Sequence, residues 1–170
     1  MPTRRSIRPL AALAFAALLA GCALRPYAPG GVPAGASRED VLRIMGPPTA
    51  SYTMPDGHER LEYNRMPFGK HTFMIDLDAA ARVAHWENVL DENHFAAIQP
   101  GMDAHDVLRL IGPPSFTWQY HLPAPGGSTW LYRFQTIQRC VVFEVSFDAV
   151  TGKVLEGDYP SDPGCPDEWM

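Results

Sequence analysis

Positive charge is scarce in this chain. Its 170 residues hold 14 Lys and Arg against 19 Asp and Glu, and three of those cations, Arg4, Arg5 and Arg8, sit near the N-terminus. A nucleic-acid partner would call for the opposite balance, and anionic lipid headgroups would be repelled on average. Long apolar runs are also missing: the longest, Leu10 through Ala20, holds about 11 residues, too few to span a bilayer. There is no Gly-x-Ser-x-Gly, no phosphate-binding P-loop and no dinucleotide-binding glycine fingerprint. The six histidines, His58, His71, His85, His94, His105 and His121, stand in no metal-ligand spacing and read as solvated surface residues. Asp76, Asp78, Glu144 and Asp148 could be imagined as paired catalytic carboxylates, but strand alternation and turn chemistry account for them more simply. These absences leave no catalytic, metal or cofactor assignment and no small-molecule substrate. A non-enzymatic protein is expected.

Cysteine is rare as well, with three in the chain, and each has a readable place. Cys22 ends the run Leu19-Ala20-Gly21-Cys22, behind the basic and apolar segments of a targeting signal. That arrangement resembles the lipobox of bacterial lipoproteins, which implies cleavage before Cys22 and lipidation of its thiol and amine. Ala23, rather than Asp, follows the cysteine and favours the outer membrane. Loss of residues 1–21 leaves 11 Lys and Arg against 19 Asp and Glu, a net charge of −8. The membrane work therefore falls to the acyl chains. Cys140 and Cys165 remain, an even pair that invites a disulfide in an oxidising periplasm; two free thiols are the alternative. A bridge would staple the Pro-rich tail to the strand that begins near Cys140.

What the chain does have is an internal repeat. Gly35-Ala36-Ser37-Arg38-Glu39-Asp40-Val41-Leu42-Arg43-Ile44-Met45-Gly46-Pro47-Pro48 recurs 66 positions on as Gly101-Met102-Asp103-Ala104-His105-Asp106-Val107-Leu108-Arg109-Leu110-Ile111-Gly112-Pro113-Pro114. A repeat fixes architecture before any single residue does. Each copy reads as a short helix. Ser37 and Asp103 are N-caps, and Asp40 and Asp106 stand three residues on, an Asp variant of the capping box. Val41, Ile44 and Met45, with Val107, Leu110 and Ile111, form one apolar stripe. Gly46 and Gly112 supply left-handed helix ends, and the prolines forbid continuation.

Alternation then predicts strands. The first copy reads as Thr49–Met54, Glu59–Arg65, His71–Asp78 and Arg82–Val89, with Phe73, Ile75 and Leu77 on one face and Met74 and Asp76 on the other. In the second, Phe116, Trp118 and Tyr120 share a face, as do Trp130, Tyr132 and Phe134; Phe143, Val145 and Phe147 match Phe73, Ile75 and Leu77. The expected fold is α+β: two tandem small modules, each with a short helix or helices packed on an antiparallel sheet of three or four strands. The divisions are 1–21 signal peptide, 22–34 flexible Pro/Gly-rich tether, 35–90 repeat 1, 91–158 repeat 2 with an extra short helix in 91–98, and 159–170 tail.

Ile98-Gln99-Pro100-Gly101-Met102, Val107 to Pro114, Thr129-Trp130-Leu131-Tyr132-Arg133-Phe134 and the Phe143–Val154 strand pair resemble the SmpA/OmlA (BamE-like) outer-membrane lipoprotein domain. Its pattern is Gly-Met before a helix, Gly-x-Pro after it, a Trp-x-Tyr strand, and an Asp/Asn-rich turn into the last strand. The likeness covers most of residues 91–158. Repeat 1 follows it more loosely, lacking the Met and carrying Leu61-Glu62-Tyr63 in place of Trp-x-Tyr. The resemblance implies helices on one face of a small antiparallel sheet and a role in β-barrel outer-membrane protein assembly. A tandem pair is also similar to the β-lactamase inhibitory protein, which implies an alternative: an inhibitor of a periplasmic enzyme. The domain's habit of using the stretch after Gly-x-Pro and its hairpin for contacts implies Phe116, Trp118 and Leu131 as partner-binding residues. The partners implied are the outer membrane, through lipid on Cys22, and an envelope protein, with barrel-assembly components as candidates.

Overall fold

The computed structural model describes residues 26–119, 127–137 and 140–165. The repeat is visible in the element order. Repeat 1 runs α1 (Arg38–Met45), β1 (Ala50–Thr53), β2 (Glu59–Asn64), β3 (Thr72–Leu77) and β4 (Val83–Asn88). Repeat 2 follows with α2 (Glu92–Phe95), α3 (Ala104–Ile111), β5 (Phe116–Gln119), β6 (Ser128–Tyr132), β7 (Phe143–Phe147) and β8 (Val154–Asp158). The strands form two separate four-stranded antiparallel meanders, β1-β2-β3-β4 and β5-β6-β7-β8. The fold class is α+β, as the alternation predicts, and most strands stop a residue short of the predicted ends.

Both helices start as the sequence dictates. Ser37 accepts from the Asp40 amide at 3.2 Å, Asp103 from the Asp106 amide at 2.9 Å, and both capping boxes are complete. Their ends differ from expectation in one torsion. Gly46 (φ 89°, ψ −168°) and Gly112 (φ 75°, ψ −167°) do have positive φ, but with ψ extended rather than in the αL well. Glycine alone occupies that region without strain, and it turns the chain straight into the Pro-Pro step.

Matching devices hold each helix to its sheet. The Tyr63 hydroxyl donates to the Gly46 carbonyl at 2.9 Å, and Tyr132 donates to that of Gly112 at 3.1 Å. The β3–β4 and β7–β8 ladders shift register at equivalent points, Asp76/Leu77 and Ser146/Phe147. Asp78 and Asp148 accept backbone amides of their turns, the turn chemistry anticipated for them.

Two departures set the architecture. The segment expected to be a flexible tether is docked from Tyr27 onward: Val32 is buried, the Tyr27 ring meets Phe73 edge-on at 5.6 Å, and Gly35 donates to the Val83 carbonyl. Apolar Tyr27 and Val32 complete the first core, so the Pro/Gly composition misleads there. Secondly, the two modules, whose relation the sequence left open, are stacked through β3. Leu61, Tyr63, Phe73, Ile75 and Leu77 pack with Val41 and Met45 of α1, whereas Met74, on the opposite face of β3, belongs to the other core with Val107, Ile111, Tyr132, Val145 and Phe147. Helix α3 thus lies between the two sheets, and the layer order is α1, first sheet, α3, second sheet.

Candidate partner-binding face

Cross-strand register divides the aromatics of repeat 2 between two faces. Thr117 pairs with Trp130, so Trp130 and Tyr132 face α3; Phe116 pairs with Leu131 and Trp118 with Thr129, on the outer face. The two aromatic sets read from the sequence therefore lie on opposite faces of the sheet. Trp130 and Tyr132 are inner residues, with Trp130 4.7 Å from the Phe147 ring. Phe134, expected to continue β6, is buried beyond its end against Phe95 at 5.0 Å. Tyr120 and the loop up to Gly126 lie outside the described residues, as does Cys22.

The three residues anticipated for partner contact are neighbours, but they differ in access. Leu131 is 4% exposed, Phe116 is half-buried, and Trp118 is 48% exposed. Leu131 thus acts as the floor and Trp118 as the accessible surface. The Arg133 guanidinium sits 4.5 Å over the Phe116 ring. Its Nε and Nη2 donate to both Asp162 carboxylate oxygens, at 2.6 and 2.8 Å. These bonds hold the Asp162 carboxyl below its ordinary range and raise the Arg133 guanidinium above its own.

Asp162 brings the tail with it. Cys140 and Cys165 form the anticipated disulfide, the Asp162 amide donates to the Cys140 carbonyl, and the Val142 amide donates to the Pro160 carbonyl. Phe116, Trp118, Arg133, Pro163 and Gly164 line the resulting cleft of about 220 Å³. Glu144, Glu156 and Asp158 are the acids on the same outer face, by register with one another and with Ser146. From the sequence, Arg133, Glu156 and Asp158 have no assigned role and Glu144 figures only as a catalytic carboxylate, although alternation from Thr129 through Arg133 could have placed Arg133 beside Leu131.

Elsewhere, several ionisable side chains are engaged in structural pairs. Arg60 pairs with Asp76 at 2.6 Å, which accounts for one of the carboxylates considered above. His94 lies 2.8 Å from Asp91 and 3.3 Å from Glu87, and His85 lies 3.4 Å from Glu87. Among the described residues no cluster of His, Cys, Asp and Glu is arranged to hold a metal ion, and no helix is long and apolar enough to cross a membrane.

No protein-family model matches the chain, and no curated protein matches it. Among solved structures, the chain is similar to an osmotically inducible lipoprotein, OsmE, at 30% identity over 42% of this chain and 73% of that one, with a TM-score of 0.35. It is also similar to a protein named as a beta-lactamase inhibitor from Streptococcus mutans, at 13% identity over 87% of this chain and 96% of that one, with a TM-score of 0.34.

Proposed function

We propose that this protein is an outer-membrane lipoprotein, anchored through lipid on Cys22 and facing the periplasm, that works by binding another envelope protein rather than by catalysis. The setting is β-barrel outer-membrane protein assembly or envelope integrity, in keeping with the SmpA/OmlA-like stretches of repeat 2. The observation that carries the reading is the second sheet's outer face, where half-exposed Trp118 borders a cleft built by Phe116, Arg133 and the disulfide-bonded tail. A large aromatic beside a rigid cleft is the composition of a binding hot spot. Lipid would fix the height above the membrane, and the docked part of the chain begins at Tyr27, five positions from Cys22.

The test is gentle detergent extraction of the envelope with a C-terminally tagged chain, followed by identification of what co-purifies, with a Cys22→Ala form in parallel. Recovery of barrel-assembly components, weakened in the Cys22→Ala form, is expected. A single soluble enzyme recovered equally with both forms would replace this reading by that of a periplasmic enzyme inhibitor.

A further inference from the structure

The first sheet already shows what its outer face is for. On the face turned away from α1, Arg60 donates from Nη1 to the Arg109 carbonyl of α3 at 3.1 Å, and the Tyr52 ring meets His105 edge-on at 6.3 Å. Met74 enters the core around α3, and Gly112 approaches Glu62 so closely that an added Cβ would lie 3.1 Å from its carboxylate. In each repeat, then, the inner sheet face holds its own helix, and in repeat 1 the outer face holds the helix of the next repeat.

The ladders give the matching positions in repeat 2. Tyr63 and Tyr132 coincide through their bonds to the helix-end glycines, so Trp118 stands where Tyr52 does, Thr129 where Arg60 does, Leu131 where Glu62 does and Glu144 where Met74 does. No third helix follows within the described residues. The Thr129 hydroxyl, at the position from which Arg60 donates to the docked helix, is buried without a hydrogen-bond partner, as is the Thr72 hydroxyl on the face of the first sheet that holds α3, so the opening of the second face lies at half-exposed Trp118.

We propose that the outer face of the second sheet docks a short amphipathic helix of another protein, with an apolar stripe on Trp118 and Phe116 and Lys or Arg along the flank that meets Glu144, Glu156 and Asp158. This deepens the partner-binding reading above and rests on it. The cationic flank follows from charge: Arg133, which lines the cleft, is already engaged by Asp162, which Lys70 also faces, while three acids line the neighbouring strands. A second copy of this chain fits poorly. The outward side of α1 exposes Glu39, and its arginines are engaged, Arg38 by Glu59 and Arg43 by Asp40. It is a polar end cap, as terminal repeats require.

The probe is a synthetic Leu/Lys amphipathic helix about four turns long, labelled with fluorescein, with a Leu/Glu peptide of the same apolar face as its counterpart. Both are titrated into the full chain carrying Cys22→Ser, which blocks lipidation. The Leu/Lys peptide is expected to bind in roughly the micromolar range, the Leu/Glu peptide not measurably. Trp118→Ala and Glu144→Lys should each weaken binding about tenfold, with unchanged melting curves, while Glu39→Lys on α1 leaves it unchanged. Equal binding of the two peptides, or an affinity indifferent to both sheet variants, overturns the proposal. Self-association that Trp118→Ala abolishes would also overturn it, since the occupant would be a second copy. If peptide binding behaves as expected but no envelope protein co-purifies, the lipoprotein role fails and the docking face stands. Co-purification that survives Trp118→Ala and Glu144→Lys removes the docking face alone.

Discussion

Glu62 shows how one residue joins the two repeats. It is 1% exposed and accepts from the Thr49 hydroxyl at 2.8 Å, the Tyr52 hydroxyl at 2.6 Å and the Asn64 amide. Burial beside this carboxylate raises the Tyr52 phenol well above its ordinary value. Truncating an acceptor strands its donors, so Glu62→Ala should destabilise by about 3 kcal/mol. Glu62→Gln keeps one acceptor oxygen and should lose less, a ranking that urea denaturation of the two variants measures directly. Asp162 gives a pH-dependent counterpart. Its carboxyl is held below the ordinary 3.8 first by the bonds from Arg133. A depressed folded value adds stability above the unfolded one and loses it as pH falls through the folded one. The stability advantage of the native chain over Asp162→Asn should therefore be flat from neutral pH down to about 4 and shrink below it. An advantage that instead grew in acid would contradict the ion pair.

At the scale of elements, the tail is tied down by one covalent bond and few others. Cys140 and Cys165 stand 25 positions apart, a loop for which a bridge is worth about 3 kcal/mol in the chain-entropy account. Replacing both with Ser should lower stability by about that much and speed hydrogen exchange at the Val142 and Asp162 amides, with exchange in α1 little changed. The short elements show what can be read from sequence and what cannot. Both capping boxes, both glycine ends and every strand were legible, because each depends on neighbours in the chain. The face that each aromatic occupies was not. Alternation says that Phe116 and Trp118 share a side, but only the pairing of Thr117 with Trp130 says that this side is the outer one. Trp118, marked for contact by the family likeness, is 48% exposed, whereas Tyr132 is 0% exposed.

Across the whole molecule, identical words acquire different surroundings. Val-Leu-Arg occurs in both helices, yet Arg43 is exposed on α1 and Arg109 is half-buried on α3, because α3 has a sheet on each side. The copies differ in their flanking residues, Arg38-Glu39 in the first against the less charged Ala104-His105 in the second, and the rest of the difference comes from which neighbour the chain reaches next. The docking of the Pro/Gly-rich segment has the same origin, since Tyr27 and Val32 find their partners in strands far along the sequence. The stacked order α1, first sheet, α3, second sheet makes the two cores share β3. Phe73, Ile75 and Leu77 serve one, and Met74 serves the other. Strain or loss at β3 is felt by both repeats, so the chain should unfold in a single transition. Met74→Ala should destabilise by about 2–5 kcal/mol, lowering the melting midpoint by about 2–4 °C per kcal/mol for a chain of this size. Calorimetry of Val41→Ala, in the first core, and Val107→Ala, in the second, separates the alternatives. Shared β3 requires that each variant shift one common transition. Two transitions, with each variant moving only its own, would mean that the repeats fold as independent modules despite the helix between them.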